Sequence, residues 1–433
     1  MALRRIALCS LVLLVLSCSG LFPRTMASEE GVWSRVIGPW QNFDGSQFDP
    51  YTPAEYGMSY ADLGLVVAMA KSDSNVFYVG AHNGDGLFKS VDGGNTWQNV
   101  SAGLPRRDKS RHLRGGEGPY RGISVIAIAP SDPETVYVGF QSDAAAAVTR
   151  DGGSHWRISR LSTRPTIVGD FSCLAIAIHP TAPGVAYVSH AAGTALLKTT
   201  NGGKSWASAG GLGLNHLPYD KRVGTGVSAI AIDPSDHNTV YAAGYSCAAP
   251  RSFNEQYWYA WGVHRSTDGG RHWYPDFEGW PLGGWWNGLL NDPITSIAFG
   301  GGSSQVMYLG ESGGRAWARD CRNPEWWTEW WDVSDDLSLE GCSALCTSPT
   351  DPYVVFAAGR ASRARSAVCK STDKGQNWES VGTGWPSETE YTAPDRPYPT
   401  YVLTLSASSI DPDILWAGTT TGVYRYGPSP PSE

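Results

Sequence analysis

The sequence predicts an all-β protein: a single seven-bladed β-propeller of four-stranded blades, its ring closed by the mature N-terminal strand. Three observations carry this. The 433 residues include 51 Gly, 28 Pro, 19 Trp and 20 Tyr but only 17% charged side chains, a balance that suits many short strands joined by tight turns. A turn motif, Ser/Thr-x-Asp/Asn-x-Gly-x-x-Trp, recurs five times. A pair of apolar strands ending on an aromatic recurs seven times, at Tyr78, Tyr137, Tyr187, Tyr241, Tyr308, Phe356 and Trp416, and such periodicity marks repeat architecture. With 41% hydrophobic residues the chain can bury a large core, which excludes disorder. No stretch holds a heptad, which excludes a coiled coil.

Residues 1–27 read as a secretory signal: Arg4 and Arg5, an apolar run from Ile6 to Leu16, then small residues to a Thr25-Met26-Ala27 cleavage site. The apolar run is too short to span a bilayer comfortably. A lipoprotein signal is the alternative, because Val15-Leu16-Ser17 precedes Cys18, which would then carry a lipid anchor. Either reading exports the chain to a secreted or periplasmic location. Residues 28–428 then form the propeller and 429–433 a C-terminal tail.

Within each unit the innermost strand is the first apolar run. The cores are Leu65–Met69, Val125–Ala129, Leu174–His179, Val227–Ile232, Ile294–Phe299, Ser343–Thr347 and Val402–Ser406. The last unit ends after Gly422-Val-Tyr-Arg-Tyr426, one strand short. Near the other end of the chain, Val32-Trp33-Ser34-Arg35-Val36 matches the outer strands that begin at Trp97 and Trp378. Pairing it with the last unit would remove an open sheet edge.

The five motif copies place Asp92 with Trp97, Asp151 with Trp156, Asn201 with Trp206, Asp268 with Trp273, and Asp373 with Trp378. This repeat resembles the Asp-box, or bacterial neuraminidase repeat. Its residues read as structural: Asp or Asn accepts turn N–H groups, Gly supplies backbone freedom, and Trp packs between blades. Asn201 could do that job without being an acid. Unit five has only the degenerate Arg319-Asp-Cys-Arg-Asn-Pro-Glu-Trp326, so one of Trp326, Trp327, Trp330 and Trp331 is expected to replace its lost Trp.

The net charge is −8 and no basic block exists, so no nucleic-acid partner is expected. No cofactor is implied. Six Cys remain after the signal, with no CxxC, no His at zinc spacing and no HExxH, so no metal site is expected. An exported chain permits disulfides among them, Cys173 with Cys247 being one candidate.

In a propeller, the B–C turns and the connections from one blade to the next gather at one end of the ring, where function concentrates. Here these segments carry His82, Arg111, Arg114, Tyr120, Tyr257, Trp258, Trp280, Trp285 and Trp286. Aromatic faces beside polar groups suit the apolar face and hydroxyls of a sugar. A glycan or polysaccharide is therefore the expected ligand of a monomeric chain with no membrane span.

The repeat is similar to that of sialidases, two-propeller xyloglucanases and seven-bladed assembly or sorting proteins. Sialidases carry a Phe/Tyr-Arg-Ile-Pro motif that is absent here, and their six blades fall short of seven. The xyloglucanase-like hydrolases resemble this chain over Gly80 to Ser90 and Tyr241 to Ser266, but their first catalytic Asp falls where this chain has His82. A glycoside hydrolase would need two carboxyl groups flanking the scissile bond, and Asp85 and Glu311 are the candidates. The alternative is a non-catalytic protein-binding or assembly scaffold, resembling sortilin-type or photosystem-assembly propellers.

Overall fold

Alternating small and large residues in each repeat produce one radial antiparallel sheet. The computed structural model describes residues 31–37, 64–82, 84–106, 119–141, 145–161, 173–190, 196–210, 214, 226–245, 263–276, 294–300, 306–321, 330–361, 367–383, 385, 392–393, 396–397, 400–409, 411 and 413–427. Seven four-stranded sheets make up the blades. Blade one is Leu65–Met69, Phe77–Ala81, Leu87–Ser90 and Gln98–Asn99; blade two is Ile123–Ala129, Asp132–Phe140, Ala145–Thr149 and Arg157–Arg160. Blade three is Cys173–Ile178, Ala186–His190, Leu196–Thr199 and Ala207–Ser208; blade four is Gly226–Ile232, Val240–Tyr245, Val263–Ser266 and Tyr274–Pro275. Blade five is Ile294–Phe299, Val306–Glu311, Ala316–Asp320 and Trp331–Asp332; blade six is Leu339–Thr347, Val355–Ala361, Val368–Ser371 and Glu379–Ser380. Blade seven combines Val402–Ala407, Leu415–Thr419 and Gly422–Gly427 with Val32–Ile37 as its outermost strand. Strands run A to D from axis to rim. The expected strand A cores match, with one to several further residues at some ends, except that the third strand stops at Ile178, one residue short of the expected His179.

Seven strands converge at the axis, so strand A needs small side chains where strand B carries its large aromatic. The register shows this directly. Tyr78 faces Ala68, Tyr137 faces Ala127, Tyr187 faces Ala177, Tyr241 faces Ala231, Tyr308 faces Ala298, Phe356 faces Cys346 and Trp416 faces Ser406. The aromatics are buried, and three phenols reach across to the next blade: Tyr78 to Pro133 O (3.3 Å), Tyr137 to Pro183 O (2.8 Å) and Tyr187 to Gly269 O (3.0 Å).

A second belt of contacts joins neighbouring blades near the axis. Strand A carries a bulge near its start in blades two to seven. The bulged Ser228, Thr295 and Ser343 donate to Ile294 O, Cys342 O and Val402 O of the following blade. Ser189 similarly reaches Val227 O at 2.7 Å, and the Val67 N–H donates to Thr404 Oγ1 at 2.9 Å. The four hydroxyl donors satisfy carbonyls that the bulge removes from the ladder, and the last bond satisfies the Val67 N–H.

The N-terminal strand pairs antiparallel with blade seven, Trp33 opposite Tyr426 and Arg35 opposite Tyr424. Trp33 is 3% exposed; its indole donates to Val381 O at 2.8 Å and its backbone N–H to Thr383 O at 2.9 Å. Its ring meets Trp385 edge-on at 5.0 Å and Tyr426 at 5.4 Å. No helix among the described residues is long and apolar enough to cross a membrane.

Candidate functional site

The five repeated turns lie between strands C and D, and each is hydrogen-bonded to itself. In blade one the Ser90 hydroxyl donates to Asp92 Oδ1 at 2.7 Å and accepts the Gly94 N–H at 2.9 Å. Asp92 Oδ1 then accepts the Thr96 N–H at 2.9 Å. Asp151, Asn201, Asp268 and Asp373 take the N–H groups of His155, Ser205, His272 and Asn377 in the same way, at 2.9 to 3.0 Å. Hydrogen bonds from Thr96 hold the Asp92 carboxyl down at about 2, and those from His155 do the same for Asp151. Asn201 makes the geometry as well as any Asp, so the turn needs an acceptor rather than an acid.

The motif Trp side chains join blades. The indoles of Trp156, Trp273 and Trp378 donate to Val100 O, Ala209 O and Val333 O of the preceding blade, at 2.8, 2.7 and 2.6 Å. Trp97 bonds within its own turn, to Gly94 O at 3.0 Å, and the Trp206 N–H is buried with no partner among the described residues. In blade five Trp330 takes this role, donating to Asp276 O at 3.2 Å.

The seam between blades four and five departs from the repeat on both sides. Asp276 occupies the place of Val100, Ala209 and Val333: each N–H bonds back to strand C, here to Val263 O at 2.7 Å. Arg319 sits opposite Met307 as Ser90 sits opposite Phe77. Arg319 and Asp276 form an ion pair at 2.7 Å, each side chain 9% exposed. The guanidinium also lies 5.8 Å above the Trp330 ring. Burial pushes the nearby Cys321 thiol up to about 12, so it is an inert thiol.

His264, 5% exposed on strand C, belongs to this seam; burial lowers its pKa, and the Asp276 carboxylate opposes that shift. Burial also lowers His179, beside His237 and Lys198. A histidine with a depressed folded-state pKa binds more protons when unfolded. Its stabilisation is therefore complete above 6.5, the ordinary imidazole value, and is lost as pH falls through the folded pKa. The melting temperature should drop on acidification below that value, and His264→Phe should reduce the drop, as measured by calorimetry across pH. Phe fits because Phe88 holds the corresponding place in blade one, opposite Val79 as His264 is opposite Ala242.

At the other end of the ring, two predicted ligand residues, His82 and Tyr120, lie at the same turn as one predicted acid, Asp85. The His82 N–H donates to Gly64 O at 2.9 Å, closing the end of blade one's inner strands. Asp85 follows in the B–C turn, half-buried, and the Tyr120 N–H donates to Gly84 O of that turn at 3.0 Å. Tyr120 lies under the Arg106 guanidinium, 5.6 Å from its ring centre. Glu311 ends strand B of blade five, 1% exposed, and accepts the Trp317 indole N–H at 3.0 Å. Asp85 and Glu311 thus stand on non-adjacent blades, and Glu311 holds the register place of Ala81 rather than of Asp85. Arg111, Arg114, Tyr257, Trp258, Trp280, Trp285 and Trp286 lie outside the described residues, as do Cys247 and residues 1–27. The described side chains of Cys321, Cys342, Cys346 and Cys369 are free thiols.

Sequence reading missed a second group at this end. Arg360, at the end of strand B in blade six, pairs with Glu340 at 3.3 Å and lies 5.5 Å over the ring of Tyr401, which leads into blade seven. Neither Arg360 nor Tyr401 falls in a conspicuous loop. Only the ring brings them together, across some forty residues of chain.

No family model matches the chain. A stretch of 118 residues, 26% of the chain, is 34% identical to the oligoxyloglucan-reducing end-specific xyloglucanase of Emericella nidulans, covering 13% of that protein. The GH74 xyloglucanase of Xanthomonas campestris matches 91% of this chain with a TM-score of 0.59 and 16% identity, and 53% of it is covered. The GH74 enzyme of Niastella koreensis matches 84% with a TM-score of 0.61 and 14% identity, and 52% of it is covered. YCF48 of Cyanidioschyzon merolae matches 91% with a TM-score of 0.50 and 15% identity, and 98% of it is covered. The chain spans about half the length of these GH74 enzymes and a smaller part of the curated relative. The likeness to the solved structures is one of fold: the chain is a seven-bladed β-propeller of the architecture found in GH74 xyloglucanases and YCF48.

Proposed function

We propose that this is an exported, monomeric propeller that binds a carbohydrate or similar polar polymer where its B–C turns and blade-to-blade connections meet. One contrast carries the reading. At the opposite end the polar side chains are spent on their own turns, as the Asp92 and Asp151 bonds illustrate. At the connection end, the partly exposed rings of Tyr120 and Tyr401 stand beside Arg106, Arg360 and Glu340. Flat rings with adjacent charged and hydrogen-bonding groups fit a pyranose, which offers an apolar C–H face and a rim of hydroxyls. The local identity to a xyloglucanase supports the same direction. Hydrolysis is the finer form of this proposal; of its two candidate acids Asp85 sits half-buried in a turn, whereas Glu311 is sealed against the Trp317 indole on a non-adjacent blade and is not placed to meet a substrate. Export rests on the character of residues 1–27, and the propeller on residues 28–428.

A second reading, a protein-binding scaffold, draws on one observation: the chain covers 98% of a YCF48 but about half of the GH74 enzymes. The purified protein on a glycan array, with a polysaccharide hydrolysis panel run alongside, separates these. Binding with release of reducing ends would establish a hydrolase. Binding without release would establish a lectin-like module, and silence on the array would transfer the weight to the scaffold reading.

A further inference from the structure

The connection end carries two copies of one unusual arrangement. Arg106 and Tyr120 form an isolated antiparallel bridge, and so do Arg360 and Tyr401. In each pair the guanidinium lies over the phenol ring, at 5.6 and 5.5 Å. A planar cation fixed on a ring has lost little further freedom to a ligand, and its N–H fork is shaped for a carboxylate. Arg106 is exposed and makes no ion pair with a described carboxylate. Arg360 meets Glu340 at 3.3 Å, its one ion pair among the described residues, with the two side chains 38% and 43% exposed. An exposed pair of that kind is weak and exchanges readily for another carboxylate. The Arg360 Nε is buried without a hydrogen-bond partner among the described residues.

The two arrangements are linked by continuous contact along the ring. Tyr401 leads into Leu403, which lies so close to Gly64 that a Cβ there would clash. Gly64 O accepts the His82 N–H, and Gly84 O accepts the Tyr120 N–H. An arc of surface therefore runs from blade six through blades seven and one to the start of blade two, with an arginine on a tyrosine at each end.

Resting on the carbohydrate reading above, we infer that this arc binds an acidic polysaccharide, a chain of uronate sugars, whose repeated carboxylates engage the two stacked arginines. The tyrosine rings meet sugar faces, and two anchors on one polymer add through effective concentration. The net charge of −8 gives no long-range attraction for a polyanion. Recognition is therefore local, through the two stacked arginines.

The test is calorimetric titration of the full-length chain with polygalacturonate oligomers, neutral xyloglucan oligomers and poly-glutamate, repeated for Arg106→Ala and Arg360→Ala. Thermal melts confirm that both variants fold. Binding of polygalacturonate above the other two, weakened about tenfold by each substitution, supports the inference. Binding of the neutral oligomer with no effect of either substitution overturns it while the carbohydrate reading stands. Poly-glutamate bound as tightly as polygalacturonate overturns it in favour of a protein ligand. No binding to any of the three overturns the inference, and silence on the glycan array as well overturns the carbohydrate reading with it.

Discussion

Replacing Trp33 by Ala should lower the unfolding free energy by about 3–5 kcal/mol, the cost of deleting a fully packed indole. Trp33 is 3% exposed, donates to Val381 O and is walled by Trp385, Tyr424 and Tyr426. Val32 next to it is 40% exposed, so Val32→Ala should change stability by less than about 0.5 kcal/mol and serves as the control. The loss should exceed that of an ordinary core truncation of the same area in one respect. Without its outer strand, the last sheet keeps three strands of its own and exposes the Gly422–Gly427 edge. An exposed edge of that kind invites pairing with another chain. Urea denaturation should thus show the free-energy loss, and light scattering on warming should show aggregation in Trp33→Ala but not in Val32→Ala. A loss under about 1 kcal/mol with no aggregation would remove the ring-closing role that we assign to this strand.

Much of this architecture can be read before any coordinates. The aromatic markers announce the blades because the axis forces small residues opposite them, and that constraint repeats in every unit. The turns announce themselves because a Gly at positive φ, such as Gly94 or Gly153, and an acceptor two residues earlier are local requirements. What the sequence hides is anything assembled between repeats. Four tryptophans crowd residues 326–331, and only the seam geometry selects Trp330. Arg360 and Tyr401 are ordinary residues in one dimension. The candidate acids show the same limit: Asp85 follows a B strand and Glu311 ends one, yet the first is half-buried in a turn and the other is sealed under Trp317. Burial depends on the neighbouring blade, which lies far off in sequence.

Asp276 and Arg319 illustrate the point and allow the sharpest energetic test. Each looks like decay of its own repeat, a charge where its counterparts carry Val or Ser. Together they are a compensated pair buried in one seam. Removing either partner strands the other charge, so Asp276→Val or Arg319→Met alone should cost about 3–5 kcal/mol. The double variant should cost far less, because it leaves no stranded charge, Val in place of Asp276 repeats Val100 and Val333, and Met can lie against the Trp330 ring as Arg319 does. The coupling in a double-mutant cycle should then be several kcal/mol, read from urea midpoints at neutral pH. Additive losses would mean that the two side chains act independently. The seam would then owe its stability to Trp330 and the surrounding apolar packing alone, and the two departures from the repeat would be unrelated.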